Sequence, residues 1–389
     1  MRVEDFDHLS PDVARNLHPT LATMRAECPV ARIEKHGGFW LVSKYDDVLR
    51  VVQDWETFSS EHGITVPGGP AQMPAIPETT DPPLHREFKR LINAHFTPAK
   101  VLEHEAETRA LVNELIDGFA DRGSCEFMAE FAQPLPGRVF FEMFLHAPAD
   151  EMDEVNRLAT MASTPTTPEA IDARIKMLQW IGEFAERRRA EPRRDDVVDA
   201  VLHADIEGRP ITDLEVVGVL QLLLFGGLDT TAGALGMMML RFCQQPEIPA
   251  LLRERPELVN PAVEELLRLD GPFIFIARRA MKDAEVGGCP IKQGDPVLVS
   301  WASANRDEDE FPNPDVFDPE RSSNRHIAFG AGPHRCAGSN LARMNLRISV
   351  TELLRRLDDL RLADGADTQP YSPGYSRAPE LVPITFTAR

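Results

Sequence analysis

The sequence predicts a mainly α-helical protein with small peripheral β-sheets, and three observations carry that prediction. From Pro98 to Leu202, one segment after another repeats apolar residues at helical spacing. From Thr212 to about Phe242 runs a single apolar stretch far too long for a strand. Strand-like stretches are short and scattered: Ala31–Glu34, Phe39–Val42, Phe273–Ala277, Pro290–Ser300 and Leu381–Phe386. The 389-residue chain is 43% hydrophobic, enough for a sizeable core, and length alone would suggest two or three domains. It has no internal repeat and no low-complexity linker.

In chain order, a polar start leads into a short helix between Pro11 and Pro29. Ala31–Glu34 and Phe39–Val42, joined through His36-Gly37-Gly38, have the pattern of a small hairpin. Tyr45 to Val52 has helical spacing. Glu61 to Thr80 is a loop rich in Gly and Pro, with Ile64, Val66, Met73 and Ile76 but no Lys or Arg. A loop of this length inside a compact domain is usually functional. Asp81-Pro82-Pro83-Leu84-His85 starts the next helix, proline being suited to a first turn. The helical region from Pro98 to Leu202 is predicted to break at Gly123, Pro134-Leu135-Pro136-Gly137, Pro148 and Thr164-Pro165-Thr166-Thr167-Pro168. The last of these reads as a corner that could gate a pocket. Thr212 and Glu215 have capping-box spacing and open the long helix. Glu265 and Arg268, three apart, share a face of the following helix. Strand alternation puts Ile274, Ile276 and Arg278 on one face. Helical spacing returns after Gly338, at Leu341, Met344, Leu346, Ile348, Leu353 and Leu354.

A formal charge of −20 argues against nucleic acid or an anionic membrane as partner. The five cysteines are odd in number and scattered, which points to a reducing compartment rather than a disulfide framework. The acidic N-terminus does not read as a signal peptide or anchor, and no run of about eighteen apolar residues is free of charge, so the expected location is cytoplasmic. One stretch runs against the overall charge. Arg321 to Arg356 holds seven arginines (321, 325, 335, 343, 347, 355, 356) and one acid, Glu352. Such a stretch is a candidate docking surface for an acidic partner, or a set of arginines spent on internal carboxylates.

Two stretches carry chemistry. Phe329-Gly330-Ala331-Gly332-Pro333-His334-Arg335-Cys336-Ala337-Gly338 is a glycine-rich loop running into a helix. Such a loop lets the backbone approach a flat ligand and aims free N–H groups at one atom. If that atom is the Cys336 sulfur, the N–H groups and the helix dipole favour thiolate, the strong proximal ligand a haem iron needs. A structural cysteine, or a zinc site using His326, His334 and Cys336, would fit the same residues. The second stretch is Gly226-Gly227-Leu228-Asp229-Thr230-Thr231, within the long helix. Glycine costs a helix interior about 1 kcal/mol relative to alanine. The Thr230 hydroxyl can bond back to the Gly226 carbonyl and open the helix locally, and the paired glycines leave room for a small molecule. An acid–alcohol pair, Asp229 and Thr230, suits proton relay to oxygen there; close helix packing is the alternative. Leu222, Phe225 and Gly226 share the Thr230 face.

Together these stretches resemble the cytochrome P450 family. Phe329-Gly330-x-Gly332-x-His334-x-Cys336-x-Gly338 is similar at every position to its haem-binding motif, and Gly226 to Thr231 at all six positions to its oxygen-activation motif. Asp81-Pro82-Pro83-x-His85 resembles the helix bordering the haem edge, with Lys89 where the family usually has Arg. Glu265-x-x-Arg268 with Arg321 resembles its buried structural set, and the likeness runs in order through essentially the whole chain.

The resemblance implies a cytochrome P450 fold, one domain over 1–389, with haem b (iron protoporphyrin IX) between the 212–242 helix and the 329–338 loop. It implies Cys336 as the iron ligand within a cofactor loop that includes Phe329, Gly330, His334 and Gly338. Asp229 and Thr230 become the catalytic pair, and His85, Lys89, Arg278 and His326 the propionate contacts. Leu222, Phe225, Gly226, Ile274, Ile276 and Tyr375 would line the substrate pocket under a roof carrying Met73 and Ile76. The implied reaction inserts one atom of O2 into a small-to-medium, neutral, hydrophobic substrate, a terpenoid or an aromatic. The lack of a cation in the roof argues against an anionic one.

No flavin or nicotinamide fingerprint and no iron–sulfur cysteine cluster occurs, so electrons would come from outside. The expected donor is an acidic [2Fe-2S] or similar ferredoxin with its reductase, docking on the basic stretch of a monomer. A peroxide-driven peroxygenase of the same fold and a non-catalytic haem-binding sensor are the alternatives.

Overall fold

The computed structural model describes residues 5–68, 75–162, 167–368, 370 and 374–389. Met73 and residues 164–166 of the expected corner lie outside the described residues. The organising element is the helix Asp213–Gln244, 32 residues long, or about 48 Å at the usual rise. The predicted capping box opens it: the Glu215 carboxylate accepts from the Thr212 N–H at 2.8 Å, and the Thr212 hydroxyl accepts from the Glu215 N–H at 3.3 Å. Helices Pro168–Ala190, Pro134–Arg138, Val259–Asp270 and Ser339–Arg356 pack around it, which is why its apolar residues are not confined to one stripe. Packing is close: a Cβ added at Gly236 would stand 2.9 Å from Pro379. Among the described residues this is the one helix long and apolar enough to cross a membrane, and its neighbours make it the core helix of the fold.

The predicted break at Pro134 to Gly137 is corrected. Met128–Ala132 and Val139–Leu145 are wide π-helical turns, and Pro134–Arg138 joins them as regular helix. The Gln133 N–H reaches back to the Met128 carbonyl, and Pro134 follows at the first position of the regular turn, where no N–H is required. The break falls instead at His146, which takes a left-handed φ of 49°.

The main sheet orders its strands Val30–Ile33, Phe39–Val42, Pro296–Ser300, Phe275–Ala280 and Phe58–Ser59. The predicted hairpin pairs Val30 with Val42 and Ile33 with Phe39. Alternate residues bury both faces of this sheet: Val42, Ile276 and Val299 on one side, Leu41, Ala277 and Leu298 on the other. A second sheet joins Leu357–Leu362, Pro383–Ala388 and Ser124–Glu126. Both sheets are peripheral to the helices, as the sequence implied.

Candidate active site

The Cys336 loop closes on itself. The Cys336 N–H donates to the Phe329 carbonyl at 2.8 Å, and the Gly330 N–H to the Ile327 carbonyl at 2.9 Å. It lies flat on the helix Tyr45–Gln53, so that a Cβ at Gly332 (φ +68°) would come within 2.7 Å of the Val52 carbonyl. The Cys336 side chain is open to solvent yet surrounded by protein on most sides, which places it at the bottom of a cleft. The Gly338 N–H bonds the sulfur, and Gly338 itself adds no side chain beside it. Burial pushes the thiol up, Lys89 and the Gly338 N–H pull it down, and Glu78 pushes it up again. The Gly338 N–H thus acts in the expected direction and burial opposes it; an iron cation bound at the sulfur would favour the thiolate further.

Two ionic sets brace this loop. The Glu265 carboxylate accepts from Arg268 at 2.7 Å twice, from Arg321 at 3.2 Å, from the Asp318 N–H at 3.1 Å and from Asn324 at 3.1 Å. Arg268 also donates to the carbonyls of Asn305 and Pro314. The expected structural set is thus present and fully bonded. The second set was not read from the sequence. Glu264 holds Arg343 through two bonds of 2.8 Å and His326 Nε2 at 2.9 Å, while the Arg343 guanidinium stacks over Phe329, 4.3 Å from its ring centre. Burial pushes the Glu264 carboxyl up, but His326 and Arg343 outweigh it and hold it down at about 2. His326 Nδ1 accepts the Ala328 N–H, so both ring nitrogens are committed. His326 thus braces the loop. The adjacent acids at 264 and 265 were the available signal, since two neighbouring carboxylates point to different partners around one helix.

Of the propionate candidates, His85 and Arg278 converge, and His334 of the cofactor loop joins them. The His85 and His334 rings lie 4.3 Å apart, both buried, and both His85 nitrogens and His334 Nδ1 have no protein partner. His334 Nε2 faces Ser60 Oγ at 3.3 Å and Asp81 at 3.8 Å. Burial, then the neighbouring His334, pushes His85 down to about 3. Arg278 is 3% exposed, and its hydrogen bond goes to the carbonyl of its own neighbour Ala277. Lys89 donates to the Arg335 carbonyl at 2.6 Å, which ties its helix Leu84–Asn93 to the Cys336 loop. Glu78 was passed over as part of the roof loop. Burial pushes its carboxyl up, and Arg278 and Lys89 pull it back, so the roof carries an acid facing this cluster.

On the central helix the Thr230 hydroxyl donates to the Gly226 carbonyl at 2.8 Å, as predicted. The helix nevertheless continues unbroken, so the expected local opening is corrected: the side-chain bond is added to the backbone bonds. A Cβ at Gly226 would meet nothing within 4 Å, and Leu222 and Phe225 are only partly buried, so this face borders open space. Ile76 is buried, and its N–H reaches the Gly218 carbonyl of the same helix. Ile274 and Ile276 are buried in different clusters rather than lining one wall. Ile274 precedes the strand and is held by the Tyr375 carbonyl and the Trp301 N–H, so alternation does not extend to it. The Tyr375 hydroxyl bonds the Val66 backbone and fastens the roof loop.

These residues fit haem. The cleft holds an accessible sulfur, a glycine face, and buried nitrogens and a guanidinium short of acceptors, which is what two carboxylates on a flat ligand would use. They do not fit zinc at Cys336: among the described residues His326, His334 and Cys336 do not come within mutual ligand distance. The basic stretch is mostly paired within the chain, with Arg325 and Arg355 at the surface. Arg321, Arg325, Arg343, Arg347, Arg355 and Arg356 pair with Glu265, Glu310, Glu264, Glu105, Glu352 and Asp117. Among the described residues of that stretch, exposed Arg335 is the arginine without an ion pair.

The Cytochrome P450 family model matches residues 140–368. Nocardicin C N-oxygenase of Nocardia uniformis subsp. tsuyamanensis is 37% identical over 387 residues, 96% of each chain. Steroid C26-monooxygenase of Mycobacterium tuberculosis is 33% identical, over 94% of this chain and 98% of its own. The structure of cytochrome P450 CYP109Q5 from Chondromyces apiculatus matches with a TM-score of 0.90 and 31% identity over 100% of both chains. The chain belongs to the cytochrome P450 family and is a haem-binding monooxygenase of the bacterial type.

Proposed function

We propose that Cys336 would hold the iron of haem b and that the protein oxygenates a neutral, hydrophobic, small-to-medium molecule, a terpenoid or an aromatic, held against the Leu222–Gly226 face. The observation that carries this reading is the pairing of an accessible, deep-set sulfur with a buried cluster of unpartnered nitrogens. When bound, haem supplies O2 activation with electrons and protons from outside. His85, His334 and Arg278 would hold the propionates, and Lys89 would hold the loop by its bond to the Arg335 carbonyl. Thr230 donates a hydrogen bond to the Gly226 carbonyl, which leaves its oxygen as an acceptor; rotation of that hydroxyl would turn its hydrogen-bond donor into the cleft. Asp229, exposed and one residue earlier, would connect the relay to solvent. That pair favours an O2-driven reaction over a peroxide-driven one.

Electrons would come in the cytoplasm from an acidic ferredoxin with its reductase, docking around Arg335. One relative is named as an N-oxygenase and another as a steroid C26-monooxygenase, so the substrate panel should include amines and steroids beside terpenoids and aromatics.

The test is the difference spectrum of the reduced protein with carbon monoxide, followed by spin-state titration with that panel. A strongly red-shifted Soret band lost in Cys336→Ala, with a high-spin shift from a neutral apolar compound, is expected. A band typical of histidine ligation would overturn the Cys336 assignment. Spin shifts confined to charged compounds would overturn the substrate class.

A further inference from the structure

Between the N-terminal segment and the Val30–Val42 hairpin, three side chains meet that the oxygenase reading does not use. We propose that Asp7, His8 and His36 bind one divalent transition-metal ion of the zinc type, joining the N-terminal segment to the tip of the Val30–Val42 hairpin. One ligand atom of each lies within 4.8 Å of the other two. His8 is 1% exposed, and its Nε2 stands 2.6 Å from the Val66 carbonyl. A carbonyl only accepts, so Nε2 carries the hydrogen and Nδ1 keeps a lone pair. That Nδ1 is fully enclosed and has no protein partner. A histidine with one nitrogen donating to a backbone carbonyl and the other free is the arrangement of a metal-ligating imidazole.

The other two ligands complete the set. His36 Nε2 donates to Asp7 Oδ1 at 2.8 Å, a hydrogen bond that an ion between them would replace with release of the Nε2 proton, and the His8 and His36 ring centres are 5.4 Å apart. Phe39, Phe275 and Tyr375 surround the His8 ring, which fixes its direction. Two imidazoles and one carboxylate suit zinc and its neighbours, with water in the open position. Asp7 and His36 side chains are 21% and 24% exposed, which leaves a route for the ion. One group opposes binding: the Lys35 ammonium is 3.9 Å from Asp7 Oδ2, anchored by the Asp5 carbonyl. The Val66 carbonyl that orients His8 also accepts the Tyr375 hydroxyl at 2.9 Å. The site would therefore fasten the roof loop and the C-terminal turn as well as the N-terminus.

The experiment uses the haem-loaded full chain, stripped with EDTA and titrated with Zn2+ against a chromophoric chelator. One Zn2+ per chain is expected, weakened by at least about tenfold in His36→Gln and in Asp7→Asn and tightened in Lys35→Ala. Zinc-edge X-ray absorption should show two imidazoles. The partly exposed His36 is chosen because it lies outside the buried core, with circular dichroism as the check. Equal affinity in His36→Gln, a zinc shell without two imidazoles, or no stoichiometric binding overturns the proposal.

Discussion

Glu265 and His85 are both buried polar side chains in the frame of the Cys336 loop, yet their surroundings are opposite. Glu265 accepts from two arginines, an asparagine and a backbone N–H, so its charge is answered within the chain. Neither His85 nitrogen has a protein partner, and the nearby Arg278 spends its hydrogen bond on its own neighbour. A buried polar group left unpaired costs about 1–3 kcal/mol, so the second cluster is retained for something other than the stability of the bare chain. The complete cluster holds the loop; the incomplete one fits a ligand. A buried ion set and a buried binding site look alike in composition and differ in whether their hydrogen bonds close.

The sharpest way to break this contrast is Glu265→Ala. It strands Arg268, 1% exposed, and should cost about 3–5 kcal/mol in urea unfolding, whereas a loss under about 1 kcal/mol would deny the set its structural role. Arg278→Gln should do the reverse. It removes a buried cation with little protein bonding, so the haem-free chain should be no less stable. Haem transfer to an acceptor globin should be roughly tenfold faster, as for one lost charge-assisted bond. Loss of stability without faster transfer would merge the two clusters.

A smaller effect sharpens the same point through pH. Unfolded His85 takes a proton near 6.5, but the folded chain holds it neutral down to about 3. The unfolded chain therefore binds the extra proton between these values, and stability, full above 6.5, falls as pH drops through the window. His85→Phe should reduce that dependence by one proton, most clearly between pH 4.5 and 6.5, above the titration of Glu264. An unchanged slope would mean that His85 is solvated. The smallest effect separates free from committed arginines at low salt. Arg335→Ala should slow ferredoxin reduction and flatten its salt dependence, while Arg343→Ala, already paired with Glu264, should change it less. Equal effects would place the docking surface elsewhere.

Much of this was legible before the fold. The Thr212 capping box and the bond from Thr230 to Gly226 rest on neighbours three and four residues away, and the hairpin pairs residues at most twelve apart, so local chemistry specified them. The Glu265–Arg268–Arg321 set was legible through resemblance. Less legible were features set by partners far along the chain. His326 looked free for a cofactor until Glu264 claimed it across 62 residues, and the arginines looked like a basic surface until their acids were found on other helices. The prolines at 134 and 136 read as breakers because sequence rules assume regular helix, and widened turns absorb them.

By itself the sequence determined the helical class, the long core helix, the cysteine loop and the acid–alcohol pair, because each is written in short-range spacing. Only the tertiary structure decided which polar groups are spent. Hydrogen bonds saturate, and whether a nitrogen is free for a cofactor, a metal or a partner depends on acceptors that folding brings from hundreds of residues away.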